Sequence, residues 1–221
     1  ILRSLDGGAT WSHRGSPSAN TITDVAWVGG HTFLAVTATE VFRSTDDGGT
    51  WSSVGAPSGM TIRAVSSLGL PRAAILGDSG VFGRISVFDG STFGTPTGLT
   101  GSGSGLSLQA GFLHATGKFL GFGEGGTLVK GTAGGTDWTF GVTSTGLSND
   151  VMATAGATTL ISSSAWSVGL GGLVLRHDTT GLATQQPLGA IPAGASLYGV
   201  ATLGLDHVFV VGLGGLIAHQ T

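Results

Sequence analysis

The absence of cysteine removes thiol catalysis, disulfides and Cys-ligated zinc from this 221-residue chain, and its twelve carboxylates and six histidines are the first candidates for chemistry. Glycoside hydrolysis needs two carboxylates facing each other across a cleft. Most of the acids sit instead in turn-forming surroundings: Asp6, Asp46, Asp47, Asp89, Asp137, Asp150 and Asp178 all lie among Gly, Ser, Thr or Asn. A short carboxylate in such a stretch accepts backbone N–H bonds and closes a turn. Of the other acids, Asp24, Asp78, Glu124 and Asp206 are the candidates to line one face, and for these a solvated or turn-capping role is the commoner one. His13, His31, His114, His177, His207 and His219 form no His-x-His or His-x-x-x-His pair, so a metal site requires the fold to gather distant residues. Asp206-His207, the one adjacent acid and histidine, reads as a surface turn before an apolar strand. No catalytic, cofactor-binding or metal-binding residue is therefore expected.

Other ligand classes are excluded on similar grounds. The Gly-rich runs 123–126, 169–172 and 212–215 lead into apolar β-type segments, whereas a phosphate cradle needs a helix N-terminus behind it. Nine Lys and Arg scattered through a chain of net charge −3 make no basic stripe, which argues against nucleic acid. The longest apolar candidate for a membrane span, 208–218, is broken by Gly212, Gly214 and Gly215.

The elements that must position these residues come from repetition. The segment Ile1-Leu-Arg-Ser-Leu-Asp-Gly-Gly-Ala-Thr-Trp11 returns as Val41-Phe-Arg-Ser-Thr-Asp-Asp-Gly-Gly-Thr-Trp51. In weaker echoes, Ser86, Gly90, Thr92 and Phe93 hold the Ser, Gly, Thr and Trp slots with the Asp lost, and Gly135 and Trp138 keep two of them. Just upstream, a Gly-rich turn runs into an apolar strand at 123–130, 169–176 and 212–219. A period near forty residues with several short strands per unit marks propeller blades. The unit reads as strands over 22–28, 31–37, 40–44 and 51–54, with first strands recurring near Ile62, Leu106, Val151 and Leu197 and second strands near Ala73, Phe119, Ala165 and Val208. The fold expected is all-β, a propeller of four-stranded blades forming one domain over 1–221. Third strands beginning near Ile1, Val41, Val81, Thr127, Leu173 and Leu216 outnumber the five sets of other strands, so residues 1–4 and 216–219 compete for one slot: five blades with a surplus strand, or six.

The pattern Ser-x-Asp-x-Gly-x-Thr-Trp resembles the Asp-box, or BNR repeat. Ser4, Asp6, Gly8, Thr10 and Trp11 match it, as do Ser44, Asp46, Gly48, Thr50 and Trp51. In this reading the Asp closes the turn between third and fourth strands, Gly8 and Gly48 supply positive φ, and the Trp ring is buried between sheets. The whole unit is most similar to the photosystem II stability or assembly factor family and its non-photosynthetic relatives. That resemblance implies an extracytoplasmic, non-enzymatic factor that chaperones reaction-centre proteins. The photosynthetic members carry more blades and a positive patch, and this chain departs from both. Sialidases share the box, but Tyr198, Glu40 and Glu124 are the only Tyr and Glu here, and nothing pairs them as nucleophile and partner.

The expectation is thus a non-enzymatic binding or scaffold propeller, an accessory or assembly subunit whose partners are protein subunits of a larger, membrane-docked complex. A charged fraction of 10% leaves little to solvate an exterior, so some surface is expected to be covered. The alternatives are a carbohydrate-binding propeller using Trp27 and Trp166, and a piece of an Asp-box glycoside hydrolase. The chain opens at Ile1 without a leader pattern, which reads as a processed product or fragment with residues upstream.

Overall fold

A computed structural model of the chain describes residues 1–6, 9–68, 71–80, 82–99, 107–113, 118–134, 137–144, 146–158, 163–178, 183–186, 191–203 and 207–220. It is a five-bladed β-propeller in which the only helices among these residues are single 3-10 turns at Glu124–Gly126 and Leu213–Gly215. The chain opens with a separate hairpin, β1 (Leu2–Arg3) and β2 (Ser12–His13). Blade 1 is β3 (Asp24–Gly29), β4 (Thr32–Val36), β5 (Val41–Ser44) and β6 (Ser52–Gly55). Blade 2 is β7 (Thr61–Ser67), β8 (Ala73–Ser79), β9 (Phe82–Phe88) and β10 (Thr97–Gly98); blade 3 is β11 (Leu108–Leu113), β12 (Lys118–Gly123), β13 (Thr127–Gly134) and β14 (Asp137–Ser144). Blade 4 is β15 (Val151–Thr158), β16 (Ser163–Gly169), β17 (Val174–His177) and β18 (Ala183–Gln185), and blade 5 is β19 (Leu197–Leu203), β20 (His207–Gly212) and β21 (Leu216–Gln220). Each blade is an antiparallel meander in chain order.

Two-residue alternation along each strand sends one face toward the preceding blade and the other toward the next. Val36 and Val41 of blade 1 pack with Ile62, Val65 and Ile75 of blade 2. The same relation joins Leu76 and Ile85 to Leu108 and Phe119, Phe122 and Leu128 to Val151 and Leu175, and Val168 and Val174 to Leu197, Val208 and Val210. The core is therefore a series of apolar layers between blades.

The strand count predicted from the repeat is met, but the competition between residues 1–4 and 216–219 does not occur. Among the described residues β1 pairs only with β2 and β21 only with β20, so each keeps a sheet of its own. The faces at both ends of the series are uncovered accordingly: Val25 is 50% exposed where its counterpart Val65 is 5%, and Ile217 is 72% exposed where its counterparts Val41, Ile85, Leu128 and Val174 are buried.

Candidate functional site

The two acidic turns carry one hydrogen-bond pattern. At Asp46, Oδ1 accepts from Ser44 Oγ at 2.8 Å and from the Thr50 N–H at 2.8 Å, and Oδ2 accepts from Thr50 Oγ1 at 2.7 Å. At Asp6 the same three bonds, from Ser4 and Thr10, measure 2.7, 2.8 and 2.6 Å. Gly48 stands at φ +79°, a conformation that a Cβ resists, and Gly8 lies outside the described residues. The hydroxyl and N–H of Thr10, then Ser4, hold the Asp6 carboxyl down at about 2, and the N–H and hydroxyl of Thr50, then Ser44, do the same at Asp46. Carboxylates committed this way close turns and are poorly placed to deliver a proton.

Tertiary surroundings separate the copies. Trp51 is half-buried, whereas Trp11 is 62% exposed, against the expectation that both rings lie between sheets, because the hairpin has no inner strands to cover it. The third copy is corrected as well. Its acid is Asp89, which accepts from the N–H groups of Thr92 and Ser91 at 2.7 and 2.8 Å and from both hydroxyls at 3.0 Å, and these bonds pull its pKa far down. Ser86 does not fill the Ser slot: it pairs with Ile75 of β8 as Phe42 pairs with Ala35 of β4, and Phe88, opposite Ala73, stands where Ser44 stands opposite Phe33. In the fourth echo, Gly135 lies outside the described residues and Trp138 stacks on Phe140 at 6.2 Å.

Two of the acids left free by sequence reasoning, Asp24 and Asp78, and the turn acid Asp150 fasten blades together. Asp24 accepts the N–H of Val65 in the next blade at 3.0 Å and that of Val25 at 2.8 Å, and burial raises its pKa despite both bonds. Asp78 binds Arg63 Nε at 2.8 Å and Ser107 Oγ at 3.1 Å, and Asp150 accepts the Gly125 N–H at 2.9 Å. Each ties one blade to its neighbour's entry or turn. Glu124 opens a 3-10 turn, and Asp206 lies outside the described residues. Trp166 is 2% exposed beneath Arg176, so it offers no platform to a sugar; Trp27 is open, its Nε1 donating to the Gly30 carbonyl. His177 Nε2 lies 2.8 Å from Ser167 Oγ, but both residues are buried beyond reach of a substrate, and burial lowers the imidazole to about 4.

What the repeat does build is a channel of about 710 Å³, lined by residues from all five first strands. Gly123, Gly169 and Gly212 end the second strands of blades 3 to 5, and Gly77 holds the matching place inside β8. A Cβ on any of them meets the carbonyl oxygen of Thr61, Ser107, Asp150 or Ser196 at the entry to the first strand. That approach accompanies a bulge in each first strand, at Arg63, Gln109, Met152 and Tyr198. All four bulged residues line the channel, as does Thr23 at the matching position of blade 1. Blade 1 has Thr37 in place of the glycine, and its irregularity falls at Trp27/Gly29 instead. Sequence reasoning missed these residues, although a signal was there: each follows the first apolar residue of its unit, as in Ile22-Thr, Ile62-Arg, Leu108-Gln, Val151-Met and Leu197-Tyr.

The architecture recurs in solved propellers. A structure of YCF48 bound to D1 peptide matches with a TM-score of 0.67 and 18% identity, over 99% of this chain and 71% of that one. YCF48 from Cyanidioschyzon merolae matches at 0.65 and 20%, over 99% and 75%. Virginiamycin B lyase from Staphylococcus aureus matches at 0.73 and 12%, over 96% and 70%. No family model and no curated protein matches the sequence. Binding propellers and lyases thus share this frame, and such likeness establishes the fold alone.

Proposed function

We propose that the chain is a non-enzymatic binding propeller, an extracytoplasmic accessory or assembly subunit that holds segments of partner proteins within a larger membrane-docked, photosystem-like complex. Its acidic turns are Asp-boxes of the BNR type, kept for architecture. The observation that carries this reading is the channel. One position of the repeat, on a frame the other residues keep constant, presents Thr23, Arg63, Gln109, Met152 and Tyr198 to the same space. Different side chains on equivalent positions suit recognition of an irregular polypeptide, with Arg63 and Tyr198 supplying charge and an aromatic face. The peptide named with one solved neighbour is in keeping with it.

The test is recovery of the tagged protein with its neighbours from gently solubilised membranes of its own organism, followed by mass spectrometry. Co-purifying subunits of one complex, depleted when Arg63 and Tyr198 are both replaced by Ala, are the expected result. Recovery of the protein alone, with turnover of a small substrate, is the result that overturns it.

A further inference from the structure

A cleft of about 510 Å³ opens on the rim between blades 2 and 3, and its cause is a mismatch of outer strands. β14 of blade 3 has eight residues where β6, β10 and β18 have four, two and three, and it alone of the four carries aromatic side chains. Opposite it, β10 is cut short: Phe93 bridges Phe88, the Gly94 N–H donates to the Val87 carbonyl at 2.8 Å, and pairing resumes at Thr97 opposite Ile85, so Thr95 and Pro96 leave the sheet. Both blades are complete four-stranded sheets, so the cleft is not the place of a missing strand. Trp138 and Phe140, alternate residues on one face of β14, make one wall; their rings are 11° from parallel, 6.2 Å apart and partly exposed. Gly131 pairs with Phe140 and makes room for it, since a Cβ there would stand 2.7 Å from the ring. The Thr95 and Thr97 hydroxyls, exposed on the blade 2 side, have no hydrogen-bond partner among the described residues. Arg72 and Asp89 bring one charge of each sign, and the Asp89 oxygens already accept four bonds from Ser91 and Thr92.

We propose that this cleft binds a short neutral oligosaccharide, one face of a pyranose ring lying on Trp138 and Phe140 and its hydroxyls bonding Thr95 and Thr97. The C–H groups on a sugar's flat face carry a slight positive charge, which the negative face of an aromatic ring attracts, while the hydroxyls around its edge need polar partners. The volume is that of a small-molecule site, within the usual range of about 300 to 1,000 Å³. Other ligand classes fit less well. A phosphate or a nucleic acid meets a single arginine balanced by an aspartate. A polypeptide adding as a strand needs an open backbone edge, and this wall is the side-chain face of β14. A wholly apolar ligand would strip water from Arg72, Asp89 and two threonines without replacing its hydrogen bonds. The cleft uses neither Trp27 nor Trp166 and shares no lining residue with the channel, so it adds a second kind of ligand to the binding propeller.

Cellotriose, maltotriose and chitotriose are the probes, each titrated into the purified chain and followed by calorimetry and by tryptophan fluorescence. At least one is expected to bind saturably, with a Kd of about 1 mM or below and little change between about 50 and 500 mM salt. Trp138→Phe keeps an aromatic ring, so calorimetric binding should persist within about threefold while the fluorescence change on binding disappears. Thr95→Val combined with Thr97→Val, at exposed positions that leave the urea midpoint in place, should weaken binding about tenfold. No saturable binding of any of the three sugars overturns the proposal. So does a fluorescence change that survives Trp138→Phe, or an unaltered affinity in the threonine pair, since either puts the sugar elsewhere. A loss of more than about tenfold across that salt range marks an ionic ligand and overturns it as well. Displacement of the bound sugar by a proline-rich peptide of higher affinity assigns the cleft to a protein segment, with the same consequence. Replacing Arg63 and Tyr198 by Ala should leave sugar binding unchanged, so failure here and failure of the channel reading are told apart.

Discussion

Blade 1 and the blades that follow it are built on one unit, and they differ where neighbours press on them. In blade 1 Thr37 follows the second strand and the register shift of the first strand lies at Trp27/Gly29; blade 2 has Gly77 at the matching place and a bulge at Arg63. The first-strand valine is covered in blade 2, at Val65, and open in blade 1, at Val25. Third strands end in Ser44 in blade 1 and in His177 at the matching place in blade 4. Local chemistry repeats from copy to copy, whereas burial depends on which blade stands alongside.

The largest effect is expected from moving blade 1's residue into blade 2. Gly77→Thr drives a Cβ into the Thr61 carbonyl, and because that contact is backbone the overlap is not relieved by moving a side chain. A loss of more than about 4 kcal/mol is expected, enough to abolish the folded chain in urea titrations. Thr37→Gly removes a buried hydroxyl that donates to the Glu40 carbonyl and accepts from the Thr39 N–H, and should cost about 1 to 2 kcal/mol. If both variants unfold at the same urea concentration, the glycine is not what admits the bulge.

The contrast between Ser44 and His177 gives a pH dependence. Burial lowers His177 from 6.5 to about 4, and among the described residues its Nδ1 has no hydrogen-bond partner. A depressed folded pKa means stability is complete above pH 6.5 and is lost as pH falls from there through about 4. The displacement corresponds to roughly 3 kcal/mol at the acid end. His177→Phe should flatten the urea midpoint across that window. An unchanged slope in the variant would assign the loss to another group.

Third in size is the pair of equivalent valines. Val65→Ala empties a site between Leu34, Val36 and Ile75 and should cost about 2 kcal/mol, while Val25→Ala on its open face should stay within about 0.5 kcal/mol. Equal costs would show that something covers blade 1 in solution.

These contrasts also mark what the sequence made legible. Strand order and starts follow from alternation and turn residues, which act over a few positions; third strands predicted at Val41, Thr127 and Leu216 begin there. The pattern of Ser, Asp and Thr at Asp6 and Asp46 is legible for the same reason. Asp89 was missed because it follows its strand after one residue rather than two and precedes its threonine by three rather than four, which takes it out of alignment while Thr92 still donates its N–H and hydroxyl to the carboxylate. The exposure of Trp11 and the channel ring at Arg63, Gln109, Met152 and Tyr198 were also missed. The first depends on a strand with which β1 is not paired among the described residues, and the second on a close backbone approach whose trace in the sequence is confined to the residue after the first apolar position of each unit.

The smallest expected effect tests whether the acidic turns differ at all once their hydrogen bonds are set aside. Ser44 is buried, and its Oγ accepts from the Gly48 N–H at 2.8 Å while donating to Asp46; Ser4 makes the corresponding bond to Asp6 on the exposed hairpin. Ser44→Ala leaves the Gly48 donor unpaired and should cost about 1 to 2 kcal/mol, whereas Ser4→Ala should change the urea midpoint little. Acid makes the comparison finer. With both carboxyls lowered from 3.8 to about 2, their contribution is complete above pH 4 and is lost as pH falls from 4 to 2. Removing Ser44 takes one donor from Asp46 and raises its pKa toward 3.8, so the variant should lose less on acidification than the parent. An NMR titration of the two carboxyl resonances decides it: movement of Asp46 alone in Ser44→Ala supports independent turns, and coupled movement of Asp6 means the hairpin and blade 1 act as one unit.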